Sequence, residues 1–211
     1  MACPICHERK PKRFCPAEGE KICAICCGTA REVTIDCPSD CPHLIAARRY
    51  EREHREPLPA DQLPFPDTRI AGEAIEQNEE LIVLLSRAIA ESARETRADD
   101  DDAMVALAAL AETYRTLQAG IYYEHPPEAP LAHEIYSRMA KTLADLKSAQ
   151  SERAGFPAFK DGDAFVVLVF LLRVGKQETS GRLRSRAFLD FLRSWVPAEK
   201  TTREPNRIIT A

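Results

Sequence analysis

Residues 3–41 read CPICHERKPKRFCPAEGEKICAICCGTAREVTIDCPSDC and contain all eight cysteines of the 211-residue chain. Two Cys-x2-Cys pairs, Cys3/Cys6 and Cys23/Cys26, have the spacing at which a tight turn presents two sulfurs to one metal ion. The other four cysteines are Cys15, Cys27, Cys37 and Cys41. Clustered cysteines at these spacings predict metal ligands, so this stretch decides how the N-terminal part of the chain folds.

Zinc is the metal that this pattern favours, because Zn²⁺ takes four thiolates in a tetrahedron at about 2.3 Å. The two pairs together predict a first site made of Cys3, Cys6, Cys23 and Cys26. The remaining thiols predict a second site made of Cys15, Cys27, Cys37 and Cys41. Because Cys15 lies between the two pairs of the first site, the two sites interleave as a cross-brace. Both sites have four protein ligands, so we expect two structural Zn²⁺ ions.

Other chemistries of clustered cysteines fit the chain less well. Iron–sulfur clusters also take four cysteines and are an alternative to zinc. Disulfides need an oxidising compartment, whereas the chain opens straight into the cysteine motif without the apolar segment of a signal peptide. A redox Cys-x2-Cys pair needs a βαβ context, which the pattern does not indicate. The longest apolar run, residues 164–172, is too short to span a bilayer, so we expect a cytoplasmic protein with reduced thiols.

The apolar content of residues 1–45 is too small to fold such a module alone. Its sizeable apolar side chains are Ile5, Phe14, Ile22, Ile25, Val33, Ile35 and Leu44. A core of that size does not offset the conformational entropy lost when the chain is ordered. Structural zinc contributes about 10–16 kcal/mol in small finger peptides at neutral pH, which is enough to decide folding.

The segment Phe14-Cys15-x2-Glu18-x3-Ile22-Cys23-x2-Cys26 resembles the centre of the B-box zinc finger, a RING-like cross-brace. The resemblance covers the cysteine-rich segment and not the rest of the chain. It implies one zinc ion on Cys3, Cys6, Cys23 and Cys26, and a second on Cys15 with Glu18 as a further candidate. In families with B-boxes the finger mediates protein contacts and self-association beside helical segments, so the resemblance implies a protein partner or a homo-oligomer.

This chain departs from the B-box pattern at the end of the finger. Cys37 and Cys41 stand where the family has two histidines, and Cys27 is a thiol that the family does not require. The fourth ligand of the second site is therefore Cys27, Glu18 or His43. We favour Cys27, because thiolate is a better zinc ligand than carboxylate.

The remainder of the chain predicts helices behind a linker. Residues 46–66 contain most of a short charged helix over 43–56 and then a stiff linker with Pro57, Pro59, Pro64 and Pro66, which do not fit a helix interior. Residues 67–197 predict a bundle of about five helices. Residues 198–211 predict a disordered tail. The fold class is therefore a small zinc-stabilised cross-brace finger plus an all-α helical bundle.

Apolar residues recur at every third or fourth position through the first half of the bundle. They mark three helices, over Ile75–Ile89, Met104–Ile121 and Leu131–Leu146. The aspartates at the end of the charged stretch Arg94–Asp102 are expected to cap the second of these helices, since carboxylates accept from the free N–H groups of a helix start.

The run Ala164–Leu172 is rich in Val and Phe, which favour strands. A strand there has no second candidate with which to pair, so we expect a buried helix that starts near Asp163 and ends at Gly175. A break at Gly155-Phe-Pro157 precedes it. A last amphipathic helix over Phe188–Trp195 is expected to stop at Pro197.

Charge is divided unevenly along the chain. Residues 57–163 carry 10 Lys/Arg and 20 Asp/Glu, whereas residues 164–211 carry 9 and 4. The basic patch consists of Arg173, Lys176, Gly181–Phe188 and Arg193. We expect it to dock on the acidic middle segment of the same or another chain, and binding of nucleic acid is the alternative.

The sequence contains no nucleophile elbow, no phosphate-binding glycine loop, no zinc-protease histidine pair and no kinase signature, so we expect no catalytic activity. The predicted function is that of a zinc-binding interaction or adaptor protein, which self-associates through the 75–95 helix if it is a homo-oligomer. The alternative is a regulatory nucleic-acid-binding protein that uses the fingers and the basic patch. A third hypothesis is an enzyme, or a ubiquitin-ligase-like protein that docks a partner enzyme.

Overall fold

The computed structural model describes residues 2–154 and 159–195, and this part of the chain is mostly helical. Its elements are β1 (Arg13–Cys15), β2 (Glu20–Ile22), α1 (Ala24–Ala30), α2 (Pro42–His54), α3 (Gly72–Gln77), α4 (Glu79–Thr96), α5 (Asp100–Gln118), α6 (Pro130–Ala154), α7 (Asp161–Glu178) and α8 (Ala187–Trp195). The prediction of an all-α chain behind a cysteine-rich N-terminus is confirmed. None of the described helices is long and apolar enough to cross a membrane.

Three predicted features lie outside the described residues. They are the break at Gly155-Phe-Pro157, the stop at Pro197 and the disordered tail over residues 198–211.

Helix α7 lies at the centre of the helical body. It packs along α5 and also contacts α4 and α8, while α6 covers α4 and α5 from the other side. The side of α7 that faces these neighbours is fully buried, as at Val167, Leu168 and Leu171, while Phe170 and Val174 on the other side are half-buried. A helix with so wide a buried face needs little polar surface, which explains why a Val- and Phe-rich run is helical here.

Helix α7 continues to Glu178 rather than ending at Gly175, so the predicted end was wrong. A Cβ atom at Gly175 would lie 3.2 Å from the Met104 Cγ atom and 3.2 Å from the Phe188 Cε1 atom. The glycine therefore serves close helix packing against α5 and α8, and it does not terminate the helix.

We expect Gly175→Ala to destabilise the protein by about 1 kcal/mol, because overpacking costs about 1–3 kcal/mol and outweighs the gain in helix propensity. Gly162→Ala in the same helix is the matched control, since its Cβ would lie at least 3.5 Å from its nearest neighbour. That variant should gain about 0.5–1 kcal/mol. Urea denaturation of both variants checks the opposite signs, and equal shifts would contradict the packing argument.

The predicted capping of the second bundle helix is confirmed at the start of α5. The Asp99 Oδ1 atom accepts from the backbone N–H groups of Asp101 and Asp102, and the Asp102 carboxylate accepts from the Asp99 N–H group at 3.2 Å. At the other end α5 stops at Gln118. The predicted helical position of Ile121 was therefore wrong, and this residue lies in an exposed loop. Gly120 ends the helical path with a φ of 78°, a conformation that glycine adopts without strain.

The predicted 75–95 helix is two helices, α3 and α4, which meet at Asn78. The apolar face of α4, with Leu85 and Ile89 fully buried, packs inside the core of its own chain. Self-association through this segment would therefore have to use its polar face. The physical reason is that α6 and α8, which come later in the chain, pack against the apolar face.

The proline-rich linker packs on the helical body. The Arg173 guanidinium of α7 donates to the carbonyl oxygens of Pro64, Phe65 and Thr68 at 3.0, 2.6 and 2.9 Å. The Phe65 ring also meets the Phe165 ring edge-on, with centroids 5.5 Å apart. These contacts hold the linker against α7, so the linker does not act as a free spacer.

Candidate metal centre

A short hairpin brings the two Cys-x2-Cys pairs together. Strands β1 and β2 are antiparallel with Arg13 opposite Ile22, and Gly19 turns the chain between them with a φ of 70°. Cys23 follows β2 directly and is the N-cap of α1. The hairpin therefore carries the second pair back to the first, which occupies the turn before β1.

Four sulfurs converge at this point. The Sγ atoms of Cys3, Cys6, Cys23 and Cys26, here called the Cys3 cluster, all lie within 4.8 Å of one another. Three of the four residues are buried and Cys6 is half-buried. Four thiolates at such separations fit a tetrahedral metal ion with metal–sulfur bonds of about 2.3 Å. The chemistry of the donor set favours zinc or another thiophilic metal.

Backbone N–H groups point at the sulfurs of the cluster. The Cys23 N–H group donates to the Cys3 Sγ atom at 3.3 Å, and the Cys26 N–H group donates to the Cys23 Sγ atom at 3.3 Å. The first turn is closed by the His7 N–H group, which donates to the Cys3 carbonyl oxygen at 2.7 Å. Hydrogen bonds of this kind stabilise the thiolate form, which is the form that binds metal.

The pKa values of three thiols in the cluster shift in opposite directions. Burial raises the pKa of Cys3, but backbone hydrogen bonds from Cys23, Cys6 and Ile5 outweigh it and lower that pKa to about 6. Backbone hydrogen bonds from Arg9 and Glu8 lower the pKa of Cys6. Burial, together with the neighbouring thiols, raises the pKa of Cys26 to about 12. Four negative charges in this space need a cation to compensate them.

The second predicted set of ligands is spread over four elements. Cys15 ends β1, Cys27 lies in α1, Cys37 lies in the loop before α2, and Cys41 is the N-cap of α2. Cys15 and Cys41 are buried, while Cys27 and Cys37 are half-buried. Burial raises the pKa of Cys37, and the thiols of Cys15 and Cys41 add to the effect.

The Cys27 sulfur has a different neighbour. It accepts a hydrogen bond from the Arg13 guanidinium at 3.7 Å. Within residues 2–154 and 159–195, the Cys3 cluster is the one group of three or more ligand atoms that meets within 4.8 Å. The second zinc site therefore stays a prediction. Of the alternative fourth ligands, Glu18 is exposed on the hairpin turn and His43 is half-buried in the first turn of α2.

The basic patch is largely occupied by contacts within the chain. The Ser185 hydroxyl and the Phe188 backbone N–H group donate to Asp100 of the acidic middle segment, so this contact uses neutral groups and not the basic side chains of the patch. The arginines of the patch bind elsewhere. Arg182 and Arg186 contact the cysteine module (residues 2–45), Arg173 binds the linker, and Arg193 pairs with Asp190. Arg182 and Arg173 donate to backbone carbonyl groups, whereas Arg186 and Arg193 pair with the carboxylates of Asp36 and Asp190. Charge patterning does not reveal carbonyl acceptors.

Sequence reasoning missed Glu32, which is only 2% exposed and has a positive φ of 52°. Its carboxylate binds the Arg48 guanidinium at 2.6 Å and the Ser180 hydroxyl at 3.2 Å. A buried carboxylate with these partners links the cysteine module to the helical body. Nothing in the local sequence marks this glutamate, because both of its partners are distant along the chain.

Comparison with known proteins finds no matching family model, no matching curated protein and no matching solved structure. The functional argument therefore rests on the geometry of this chain.

Proposed function

We propose that this protein is a zinc-binding protein–protein interaction or adaptor protein without catalytic activity. The convergence of four cysteine sulfurs in the Cys3 cluster is the observation that carries the proposal. A site with four protein thiolates leaves no coordination position for an activated water molecule, so its zinc ion is structural. The reduced thiols that it needs fit a cytoplasmic location.

The proposed architecture of the module is a B-box-like cross-brace with two zinc ions. Its second ion binds Cys15, Cys27, Cys37 and Cys41. The burial of Cys15 and Cys41 supports this set, because the ligands of a structural site are closed to solvent. The exposure of Glu18 supports Cys27 over Glu18 as the fourth ligand, since a structural site is closed to solvent.

The surface of the module supports a role in protein contacts. Ile5 and Ile25, each inside one Cys-x2-Cys pair, are 41% and 55% exposed, and Phe14 on β1 is 55% exposed. A module with so few apolar side chains would be expected to bury them all. Exposed apolar side chains on a rigid metal-bound element are typical of a surface that a protein partner covers.

The double substitution Phe14→Ser/Ile25→Ser tests this function. Each fully buried large apolar side chain contributes about 1.5–3 kcal/mol at an interface, so we expect at least tenfold weaker capture of protein partners. The measurement is quantitative affinity capture from a cell lysate, followed by titration with the purified partner. Zinc content and far-UV circular dichroism should stay unchanged, because both side chains face solvent.

Glu18→Ala is the matched control, since it changes an exposed residue of the same hairpin. Equal capture by the wild-type protein and both variants would overturn the use of this surface. Nucleic-acid binding is the competing outcome, recognised by retention on heparin and a DNA mobility shift that weakens steeply with salt. That result would replace the adaptor function with the regulatory one.

A further inference from the structure

We propose that metal binding at the Cys3 cluster controls the docking of the cysteine module on the helical body. The responding element is the connection between α7 and α8, residues 179–186, here called the docking loop. The inference rests on the proposed metal binding and adds a regulatory consequence to it. The module and the docking loop are far apart along the sequence but in contact, since Arg182 donates to Gly28, 154 positions away. Metal binding in the module would therefore change the mobility of the docking loop.

The first link joins the cluster to α1. Cys23 caps α1, its sulfur accepts from the Cys26 N–H group, and the Cys23 N–H group in turn donates to the Cys3 sulfur. Helix α1 has only seven residues, among them Gly28 and the β-branched Ile25 and Thr29. A helix of this length and composition does not persist without support from outside. The cluster supplies that support at its N-terminus.

The second link joins the end of α1 to the docking loop. The Arg182 guanidinium donates to the carbonyl oxygens of Gly28 and Arg31, each at 2.9 Å. The last carbonyl groups of a helix have no partner within the helix, so their position depends on the helix itself. The backbone N–H group of Arg184 also donates to the Glu32 carbonyl oxygen at 2.8 Å. Because the acceptors lie in the last turn of α1 or directly after it, we expect these contacts to depend on α1.

The third link is the buried Glu32 carboxylate. It binds Arg48 of α2 and the Ser180 hydroxyl of the docking loop. Arg48 also pairs with Asp190 of α8 at 2.6 Å, and its side chain is only 14% exposed. Arg48 thus joins Glu32, two residues after the end of α1, to the helix after the docking loop. Displacing Glu32 would leave Arg48 with one partner in place of two.

The three links form a continuous series of contacts from the cluster sulfurs to the docking loop. When the metal leaves, α1 loses its N-terminal anchor, the carbonyl groups at its end lose their positions, and Glu32 no longer reaches Ser180. The docking loop then loses its hydrogen bonds to the module and becomes mobile, while α4, α5 and α6 keep the core that they form together. The mobility of one edge of the bundle therefore depends on whether metal is bound to the module.

Hydrogen–deuterium exchange of the full-length protein tests the coupling, in reducing buffer with zinc bound, after chelation and after zinc is restored. We expect chelation to raise exchange at least tenfold in residues 24–36 and also in residues 179–186, and zinc to reverse both changes. Peptides from α6 should not respond. Faster exchange confined to residues 24–36 would overturn the coupling and leave the metal site in place. Protein that carries no metal as purified and does not respond to zinc would instead overturn the proposed function.

Glu32→Gln provides a second measurement that does not remove a ligand. This variant should keep the wild-type zinc content, but its docking loop should exchange at least tenfold faster with zinc bound and respond little to chelation. Asp36→Asn is the matched control, because Asp36 forms a half-exposed ion pair with Arg186 in the same interface. It should behave like the wild-type protein. A Glu32→Gln protein with a slow docking loop that still responds to chelation would overturn the role of Glu32.

Discussion

Cys23→Ser is expected to remove the metal from the Cys3 cluster and unfold the cysteine module. The purified wild-type protein should carry two zinc ions per chain, and the variant should lose at least one of them. Metal binding contributes about 10–16 kcal/mol in small finger peptides, whereas the few apolar side chains of this module contribute far less. Elemental analysis gives the metal content, and hydrogen exchange gives the protection of residues 2–45.

The substitution separates metal binding from helix capping. Cys23 is the N-cap of α1, and serine is among the best N-cap residues, so the hydrogen bond from the Cys26 N–H group can persist in the variant. Loss of the module would therefore follow from the lost thiolate. Most of the helical circular dichroism should remain, because the core of the bundle contains no residue of the module.

Glu18→Ala is the control for this prediction, and we expect it to change stability by no more than about 0.5 kcal/mol, as for an ordinary surface substitution. If Glu18→Ala is the more damaging variant, the assignment of Cys27 to the second site fails. One zinc ion per wild-type chain would remove the second site. A zinc-free wild-type protein that is nevertheless protected over residues 2–45 would remove the metal proposal altogether.

Asp100→Ala is expected to lower the free energy of unfolding by about 3–5 kcal/mol, because each buried donor left without a partner costs about 1–3 kcal/mol. Asp100 is 1% exposed in the first turn of α5. Its carboxylate accepts from the Ser185 hydroxyl at 2.6 Å and from the backbone N–H groups of Phe188 and Leu189 at 3.2 and 3.1 Å. It therefore caps α8 from another helix.

The loss would be large relative to the stability of a typical domain, which is about 5–15 kcal/mol. Guanidinium denaturation followed by circular dichroism measures it. Fluorescence of Trp195, the single tryptophan, reports separately on α8, where its ring stacks near Phe170 and Phe191. We expect the fluorescence change to begin at a lower denaturant concentration in the variant, since α8 is the element that loses its cap.

Two further variants serve as controls for this prediction. Asp100→Asn keeps one carbonyl acceptor and should cost about 1–2 kcal/mol. Asp101→Ala changes the next residue, which is exposed, and should cost no more than about 0.5 kcal/mol through the lost charge at the helix N-terminus. Equal unfolding midpoints for Asp100→Ala and Asp101→Ala would show that the buried carboxylate does not hold α8.

Local patterns predicted most of the secondary structure and the first cluster. The two cysteines of each Cys-x2-Cys pair lie within one turn, so their spacing by itself predicts that the two sulfurs face one point. The helices followed from apolar residues at every third or fourth position. The errors arose where tertiary packing overrides a local signal, as at Gly175, which lies inside α7 because α5 and α8 approach it closely. The error at Ile121 has a local cause instead, because Gly120 ends the helix before it.

The sequence by itself determined that each Cys-x2-Cys pair presents two sulfurs to one point and that helices follow, because both depend on residues a few positions apart. Only the tertiary structure decided that Glu32 joins Arg48 to Ser180, that Arg182 binds the end of α1, and that Asp100 caps α8. These pairs are separated by 16 to 154 positions, and every one of their members has many possible hydrogen-bond or ion-pair partners. Which partner it meets is set by how the helices pack, since packing alone fixes the distances between them.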